Sequence, residues 1–252
     1  SMADFLMLVI VDKTENTYSF LQFNRDTMTE VALIDHNGEG EATANIQLCT
    51  AHWYGGNREQ SCENTVKSVK KLLGGIQIDG YYELNMSEIP KLNNMVDGVT
   101  VTLEDDFSKK YPKMKKGATI NLDDEQAYAY VHDRYGVGDE ENTSRMKRQQ
   151  QYMTGFFKKL QEKVKANPNY ANEVFESLQD VSTTDITIGK ISNISNIFAS
   201  GTDKGIFELA GKSKIGQALG DEIDHMEFYV NKKAMVSTMS ELFGIVEQKN
   251  KE

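Results

Sequence analysis

The sequence lacks the features that mark disordered, membrane-spanning or nucleic-acid-binding chains. It has three prolines among 252 residues and no low-complexity tract, which argues against disorder and long linkers. No stretch approaches the roughly 20 apolar residues of a membrane-spanning helix. With 28 basic and 38 acidic residues the net charge is −10, so broad binding of nucleic acid or of an anionic membrane is not expected.

Three common catalytic signatures are also missing from the chain. There is no Gly-x-Ser-x-Gly elbow, which excludes a hydrolase built on that turn. There is no Gly-x-x-x-x-Gly-Lys loop and no Gly-x-Gly-x-x-Gly fingerprint, which excludes the standard phosphate-binding loop and the standard dinucleotide fold.

Only two cysteines are present, Cys49 and Cys62, on either side of a Gly-Gly turn. A disulfide closing a loop of this size contributes about 3 kcal/mol, and we expect one if the protein works outside the cytoplasm. The alternative is two unrelated buried thiols. Zinc is not expected, because two cysteines and the nearby His52 do not make a closed ligand set. His52 is interpreted as a structural histidine, or else as part of a sugar or lipid pocket.

The apolar periodicity predicts alternating strands and helices. Strands are predicted over 3–11, 18–23, 78–86, 99–103 and 226–230. Helices are predicted over 44–53, 61–73, 87–95, 123–132, 143–166 and 231–246, with shorter helical pieces over 174–178, 186–198 and 205–209. The first strand is a nearly continuous apolar run, as expected of a central strand covered on both faces. This alternation predicts an α/β fold, a three-layer α-β-α sandwich with a mixed central sheet.

A cluster of cations flanks a glycine-containing loop over 135–143 that leads into a long predicted helix. The cations are Arg134, Arg145, Lys147 and Arg148. Guanidinium groups match phosphate geometry, and a helix start adds positive potential, so we interpret the stretch as a pyrophosphate clamp. Gln149 can donate to a phosphate oxygen there. The alternative is a set of solvated ion pairs with Glu140 and Glu141, which would contribute little.

Two aspartates are candidates for the metal side of such a site. Asp4 begins the first predicted strand, and Asp26 follows the end of the second, beside Arg25. If these strands are antiparallel neighbours, the two carboxylates meet at one edge of the sheet. Mg²⁺ takes one or two carboxylates together with substrate oxygens. The alternative is that both aspartates are ordinary charges at strand ends.

Several short motifs occur in an order that resembles a known family. They are Asp4-Phe-Leu-Met-Leu-Val-Ile-Val, Arg25-Asp26-Thr27, Tyr54-Gly55-Gly56, Ile78-Asp79-Gly80-Tyr81-Tyr82, Val96-Asp97-Gly98-Val99, Ala127-Tyr-Ala-Tyr-Val-His-Asp-Arg134 and Arg145-Met-Lys-Arg148-Gln149-Gln150. Each motif alone is weak, but their order and spacing are specific. Over 3–165 the chain resembles the LytR-CpsA-Psr domain of Gram-positive cell-envelope proteins, and 224–231 resembles the end of that domain.

The resemblance implies a membrane-anchored, extracytoplasmic phosphotransferase. Such enzymes use Mg²⁺ to move a glycopolymer from a polyprenyl-pyrophosphate carrier to peptidoglycan, with the lipid held in an apolar interior between sheet and helices. We therefore expect one domain over 3–250, with a core over 3–165 completed by 166–250. An N-terminal membrane anchor is expected to precede it.

The resemblance also implies roles for individual residues. Asp4 and Asp26 match the metal-associated aspartates, and Arg25 and Asp26 are the expected catalytic pair. Pyrophosphate contacts are expected from Arg134, Arg145 and Gln149, and with them Arg148 and His132.

One residue departs from the pattern. Arg134 matches the second arginine of an Arg-x-Arg pair, whose first arginine is His132 here. A neutral histidine lacks the fixed charge and the bidentate fork. Two alternative functions therefore stay open, a polyprenyl-pyrophosphate hydrolase and a non-catalytic envelope protein that binds a polyprenyl or glycan ligand.

Overall fold

The computed structural model describes residues 1–40 and 42–244. Its strands are β1 (Leu6–Asp12), β2 (Thr17–Phe23), β3 (Met28–Ala32), β4 (Thr43–Gln47), β5 (Tyr82–Leu84), β6 (Thr100–Thr102), β7 (Thr119–Asn121), β8 (Ser182–Thr184), β9 (Thr202–Glu208), β10 (Gly211–Gly216) and β11 (His225–Val230). Its α-helices are α1 (Arg58–Leu72), α2 (Ile89–Met95), α3 (Asp124–His132), α4 (Asn142–Ala166), α5 (Tyr170–Ser177), α6 (Ile188–Ser200) and α7 (Lys232–Phe243). None of the described helices is both long and apolar enough to cross a membrane.

The largest described sheet has three strands in the order β1-β2-β9. β1 pairs antiparallel with β2, and β2 pairs parallel with β9, so the sheet is mixed as predicted. The prediction that the first strand is central is wrong, because β1 lies at the edge and its Val9 is 51% exposed. β2 is the central strand. Two of its polar residues, Ser19 and Gln22, are buried with it.

Helices contact both faces of this sheet through alternate residues of β2. Leu21 and Phe23 belong to a buried cluster with Val69 of α1 and Met239 of α7. Phe20, which points the other way, stacks on Phe157 of α4 with ring centroids 4.2 Å apart. The mixed α/β class is therefore confirmed. The remaining described strands form two-stranded ribbons, so the three-layer description stays a prediction.

A second core holds the part of the chain that carries the predicted clamp. It packs α3 and α4 against β6 and β7 through buried residues that include Val99, Leu122, Tyr130 and Tyr152. α3 begins with a capping box. The backbone amide of Gln126 donates to the Asp123 side chain, and the backbone amide of Asp123 donates to the Gln126 side chain. This confirms the predicted start of that helix.

Tertiary pairing overrides helical periodicity in two places. The segment 44–53, predicted as a helix, is β4 followed by a 3-10 turn over Leu48–His52, because β4 pairs antiparallel with β3. The segment 205–209, predicted as helical, lies in β9, because it pairs with β2. Isolated periodicity cannot report such pairing, which involves partners far away in sequence.

Two helix ends also differ from the predictions. α4 begins at Asn142 with Glu141 as its N-cap and no side-chain cap, one residue before the predicted start at 143. The Ser144 hydroxyl donates to Asp139. Asn231 caps α7 as predicted, but the predicted end near 246 lies outside the described residues, as does the predicted domain end at 250.

The stacked pair between the sheet and α4 provides a test of the fold. We expect Phe20→Ala to lower the free energy of unfolding by about 3–5 kcal/mol, because it removes a fully buried ring and leaves a cavity. Val9→Ala on the exposed edge strand is the matched control and should change it by less than about 0.5 kcal/mol. Urea unfolding measures both, and equal costs for the two variants would contradict the assigned packing.

Candidate functional site

The carboxylate of Asp4 lies between two arginines from distant parts of the chain. Its Oδ1 is 2.5 Å from Nη1 of Arg25 and 3.3 Å from Nη1 of Arg145. The antiparallel pairing of β1 with β2 pairs Leu6 with Phe23, which places the residues before β1 beside the turn after β2. Arg145 reaches the same point from the first turns of α4. The predicted meeting of the N-terminus, the Arg25 turn and the clamp helix is thus present.

Asp26 is held in the same cluster by an asparagine that sequence reasoning missed. The amide of Asn142 donates to Oδ2 of Asp26 at 3.2 Å, and its Oδ1 accepts from Nη2 of Arg145 at 2.9 Å. Nε of Arg25 is 4.0 Å from Oδ1 of Asp26. Its position could have identified it in the sequence, because Asn142 is the first residue of α4 and lies one turn before Arg145.

Arg134 lies at the margin of the cluster. Its guanidinium stacks over the ring of Tyr135, 4.6 Å from the centroid, and hydrogen-bonds the Tyr135 hydroxyl. Burial raises the pKa of Asp26 and lowers the pKa of Arg145. The charge of Arg134 opposes the first shift and adds to the second. The cluster of Asp4, Arg25, Asp26, Asn142 and Arg145, with Arg134 beside it, is called the arginine–aspartate site below.

Burial sets the electrostatics of the arginine–aspartate site. It raises the pKa of Asp26 above the ordinary value, although Arg25, Arg145 and Arg134 oppose the shift. It lowers the pKa of Arg145, and the like charges of Arg25 and Arg134 add to that effect. Arg145 is only 5% exposed, so the alternative of solvated surface ion pairs is wrong for this residue.

Two buried donors of the site have no acceptor among the described residues. They are Nε of Arg25 and Nε of Arg145. A buried donor without a partner costs about 1–3 kcal/mol, and more when the group is charged. An anion between the two guanidinium groups would accept from both, which is the chemistry expected of a pyrophosphate site.

Gln149 sits one turn after Arg145 and is held by two hydrogen bonds to the protein. Its Nε2 donates to the Val131 carbonyl at 3.1 Å, and its Oε1 accepts from Nε2 of Gln22 at 3.4 Å. Oε1 of Gln22 is buried without a partner among the described residues. Gln22, which the sequence did not single out, therefore orients the predicted phosphate donor.

The predicted pyrophosphate role of Arg148 is wrong. Its side chain is 1% exposed, and its donors are used by the Tyr130 and Asp133 carbonyls and by Oδ2 of Asp105, 2.5 Å away. Asp105 in turn lies against Gly138, where a Cβ atom would come within 2.6 Å of that carboxylate. All three nitrogens of Arg148 thus bond to the protein, and the buried side chain supports the loop that carries Arg134.

Among the described residues, no hydrogen bond or ring contact joins His132 to the aspartates or arginines of the site. Its ring stacks on Tyr128 with centroids 4.7 Å apart, and its Nδ1 is 3.2 Å from Oδ1 of Asp133. A pyrophosphate contact from His132 remains a prediction that would require this ring to turn.

The predicted disulfide is not formed. Cys49 and Cys62 are both buried free thiols. Sγ of Cys49 contacts Met2, whereas Sγ of Cys62 lies 3.9 Å from Nε2 of His52. The two thiols face different partners, because Cys49 is in the 3-10 turn and Cys62 is inside α1. Burial, together with the carboxylate of Glu83, raises the pKa of Cys62 to about 12.

The site residues fit a Mg²⁺ ion only when a substrate contributes ligands. Asp4 and Asp26 supply two carboxylates. Among the described residues, they are not part of any group of three close metal-ligating side chains. Oδ1 of Asp4 is already shared by two arginines. This donor set suits a hard ion that takes its other ligands from phosphate oxygens and water.

The buried ion pair of Arg148 provides a test of its corrected role. We expect Arg148→Met to lower the free energy of unfolding by about 3–5 kcal/mol, since it leaves the Asp105 carboxylate buried and unpaired. Lys147→Met, at the exposed neighbouring position, should cost less than about 0.5 kcal/mol. Urea unfolding distinguishes them, and a cost for Arg148→Met below about 1 kcal/mol would contradict a structural role.

The contact between Gln22 and Gln149 predicts energetic coupling. In a double-mutant cycle of Gln22→Leu and Gln149→Leu, we expect a coupling energy of about 0.5–1.5 kcal/mol, the usual contribution of one hydrogen bond. Urea unfolding of the four proteins gives the value. Additive effects of the two substitutions would show that Gln22 does not orient Gln149.

The fold is a mixed α/β domain whose arginine–aspartate site lies at one edge of its sheet. Residues 1–243 match the LytR_cpsA_psr family. The chain belongs to this family, as the order of its motifs predicted.

A curated relative and several solved structures resemble this chain. Polyisoprenyl-teichoic acid–peptidoglycan teichoic acid transferase TagU of Bacillus cereus (strain AH820) is 29% identical over 157 residues, which cover 62% of this chain and 46% of that protein. The match thus spans about half the length of the curated relative.

The solved structures share the fold. The Streptococcus agalactiae protein gbs0355 has a TM-score of 0.76 at 20% identity, covering 100% of this chain and 84% of that one. B. subtilis TagV has a TM-score of 0.71 at 20% identity, with coverages of 98% and 91%. TagT bound to LIIa-WTA has a TM-score of 0.69 at 20% identity, with coverages of 96% and 85%. These likenesses support the mixed α/β class.

Proposed function

We propose that this protein transfers a glycopolymer from a polyprenyl-pyrophosphate carrier to peptidoglycan in a Mg²⁺-dependent reaction. The family membership supports the proposal, as does the resemblance to TagU, a polyisoprenyl-teichoic acid–peptidoglycan teichoic acid transferase. The observation that carries it is the pair of buried, unpartnered Nε donors of Arg25 and Arg145 on either side of Asp4. An anion bound beside Asp4 would accept from both of these donors.

The arginines hold the pyrophosphate of the carrier. Arg25 and Arg145 are largely buried, and in such surroundings their charge acts on a phosphate more strongly than it would in water. Arg134 adds a third charge from the margin of the site. Together they stabilise the negative charge that develops on the phosphate oxygens during transfer.

Asp26 is the proposed general base. Burial raises its pKa, which makes its carboxylate a better proton acceptor than an exposed aspartate. It takes the proton of an acceptor hydroxyl while that oxygen bonds to phosphorus, and polyprenyl phosphate leaves as the pyrophosphate P–O bond breaks. Asp4 and Asp26 would hold Mg²⁺ jointly with phosphate oxygens, and the ion would neutralise charge there.

The polyprenyl chain is proposed to lie on the α1–α7 side of the sheet. Around the buried cluster that includes Leu21, this side carries many apolar side chains that are only partly buried. They include Leu6, Leu8, Ile10, Ile76, Ile78, Met235, Leu242 and Phe243. Leu6 and Phe23 of this region lie two residues from Asp4 and Arg25 in sequence. A lipid tail beginning at the arginine–aspartate site would therefore meet apolar surface at once.

The proposed function requires a place and partners outside the cytoplasm. The carrier lipid and peptidoglycan meet at the outer face of the cell membrane, so we place the domain there, tethered by an N-terminal anchor. The partners are the lipid-linked glycopolymer and peptidoglycan, with no nucleic acid.

Removal of one buried arginine is the test of the transferase. We expect Arg145→Ala to lower transfer from a lipid-pyrophosphate glycopolymer to peptidoglycan by about 10²–10³-fold, the usual loss for one charged donor at a transition state. Lys147→Ala removes the same charge from an exposed position of α4 and should keep wild-type activity. The assay follows labelled glycopolymer into insoluble peptidoglycan.

The wild-type protein decides between the proposed function and its alternatives. Release of phosphate without an acceptor would favour a carrier hydrolase. Binding of the lipid carrier with no turnover of any kind would favour the non-catalytic envelope protein, and would connect the loss to His132. Equal losses for Arg145→Ala and Lys147→Ala would contradict the assigned site.

A further inference from the structure

A second cluster of metal-ligating side chains lies apart from the arginine–aspartate site. It joins His52 at the end of the 3-10 turn, Cys62 in α1 and Glu83 in β5. One ligand atom from each lies within 4.8 Å of the other two. The sequence suggested no zinc site, because two cysteines and His52 alone do not make a closed ligand set. Glu83 is that ligand, supplied by a strand 21 positions after Cys62.

The tautomer of His52 is already the one that a metal requires. Its Nδ1 is 2.9 Å from the backbone carbonyl of Ser1. A carbonyl oxygen only accepts, so Nδ1 carries the proton and Nε2 presents a lone pair. That lone pair faces Cys62 at 3.9 Å. A carbonyl behind the distal ring nitrogen is the usual outer partner of a metal-bound histidine.

The spacing suits a tetrahedral ion. A tetrahedral zinc with sulfur and nitrogen ligands at their normal bond lengths separates those two atoms by about 3.6 Å. The observed separation of 3.9 Å between Cys62 and His52 needs a shift of only a few tenths of an ångström. Glu83 pairs with Arg58 through Oε2, which leaves its Oε1 for an ion.

The mixed donor set selects the kind of metal. Mg²⁺ prefers oxygen ligands alone, whereas one thiolate, one imidazole and one carboxylate suit Zn²⁺. Cys62 is buried, but His52 and Glu83 are both partly exposed, so an ion has a path from solvent.

We propose that His52, Cys62 and Glu83 bind one Zn²⁺ ion, with the fourth position open to water. The thiol of Cys62 forms the Zn–S bond and releases its proton to solvent. His52 Nε2 and one Glu83 carboxylate oxygen complete the protein ligands. The site is separate from the proposed Mg²⁺ and pyrophosphate chemistry and does not depend on it.

The zinc would connect three elements, one of which contacts the residues of the arginine–aspartate site. It would clip together the 3-10 turn, α1 and β5. The same 3-10 turn begins beside Arg25, because the Cys49 amide donates to the Arg25 carbonyl at 2.9 Å. A metal at its far end would therefore stabilise the turn that positions Arg25 and raise the thermal stability of the whole domain.

Cobalt substitution tests this site directly. After treatment with a chelator and a non-chelating reductant, the whole protein is titrated with Co²⁺ and then with Zn²⁺. We expect one equivalent of Co²⁺ with a thiolate-to-cobalt charge-transfer band, its displacement by Zn²⁺, and a higher melting temperature with Zn²⁺. Cys62→Ser should abolish the band, and Glu83→Gln or His52→Gln should weaken Zn²⁺ binding at least about 100-fold, since loss of an outer partner alone costs about 10–100-fold.

Matched controls are available in the same chain. Cys49→Ser removes the other buried thiol and His36→Gln removes an exposed histidine, and neither should change the band or the affinity. A wild-type protein without the band would overturn the proposal, whether or not Cys62→Ser folds. The proposal would also fail if Cys49→Ser abolished the band, or if Glu83→Gln kept full affinity.

Discussion

The carboxylate of Asp4 is the contact on which the arginine–aspartate site depends. It joins the start of the chain, the turn after β2 and the first turns of α4 through one oxygen shared by Arg25 and Arg145. Without it, two guanidinium groups would face each other in a largely buried place, with only the more distant carboxylate of Asp26 to offset their repulsion. The antiparallel hairpin of β1 and β2 brings Asp4 to that position, so a feature of the sheet controls the charge balance of the site.

A second buried ion pair controls the loop on the other side. Arg148 connects the end of α3 to Asp105, and Asp105 closes against Gly138. This arrangement determines the path of the segment between α3 and α4, from which Arg134 extends. Two arginines one turn apart on α4 thus have opposite tasks. Arg145 keeps an Nε donor that has no partner among the described residues, whereas all three nitrogens of Arg148 bond to the protein itself.

The sequence predicted the site better than it predicted the sheet. Strand ends predicted that Asp4 and Asp26 meet beside Arg25, and clustered cations predicted a clamp that includes Arg145; in the structure Arg25 and Arg145 both contact Asp4, with Asp26 beside them. The errors have physical reasons. β1 carries the longest apolar run yet is an edge strand, while β4 and β9 were read as helical because their pairing partners are distant in sequence. Asn142 and Gln22 were missed because an amide has no charge or motif to distinguish it from an ordinary polar residue.

Residue order alone determined the family, the mixed α/β class and the identity of the site's charged residues, because local motifs and periodicity are written in neighbouring positions. Only the tertiary structure decided which arginine keeps an unpartnered donor among the described residues, that Cys49 and Cys62 are free thiols, and that Glu83 lies beside His52 and Cys62. Those outcomes depend on burial and on distances between side chains from separate elements. One turn of α4 separates Arg145 from Arg148, yet their surroundings, and not their chemistry, leave one with an unpartnered buried donor and pair the other with Asp105.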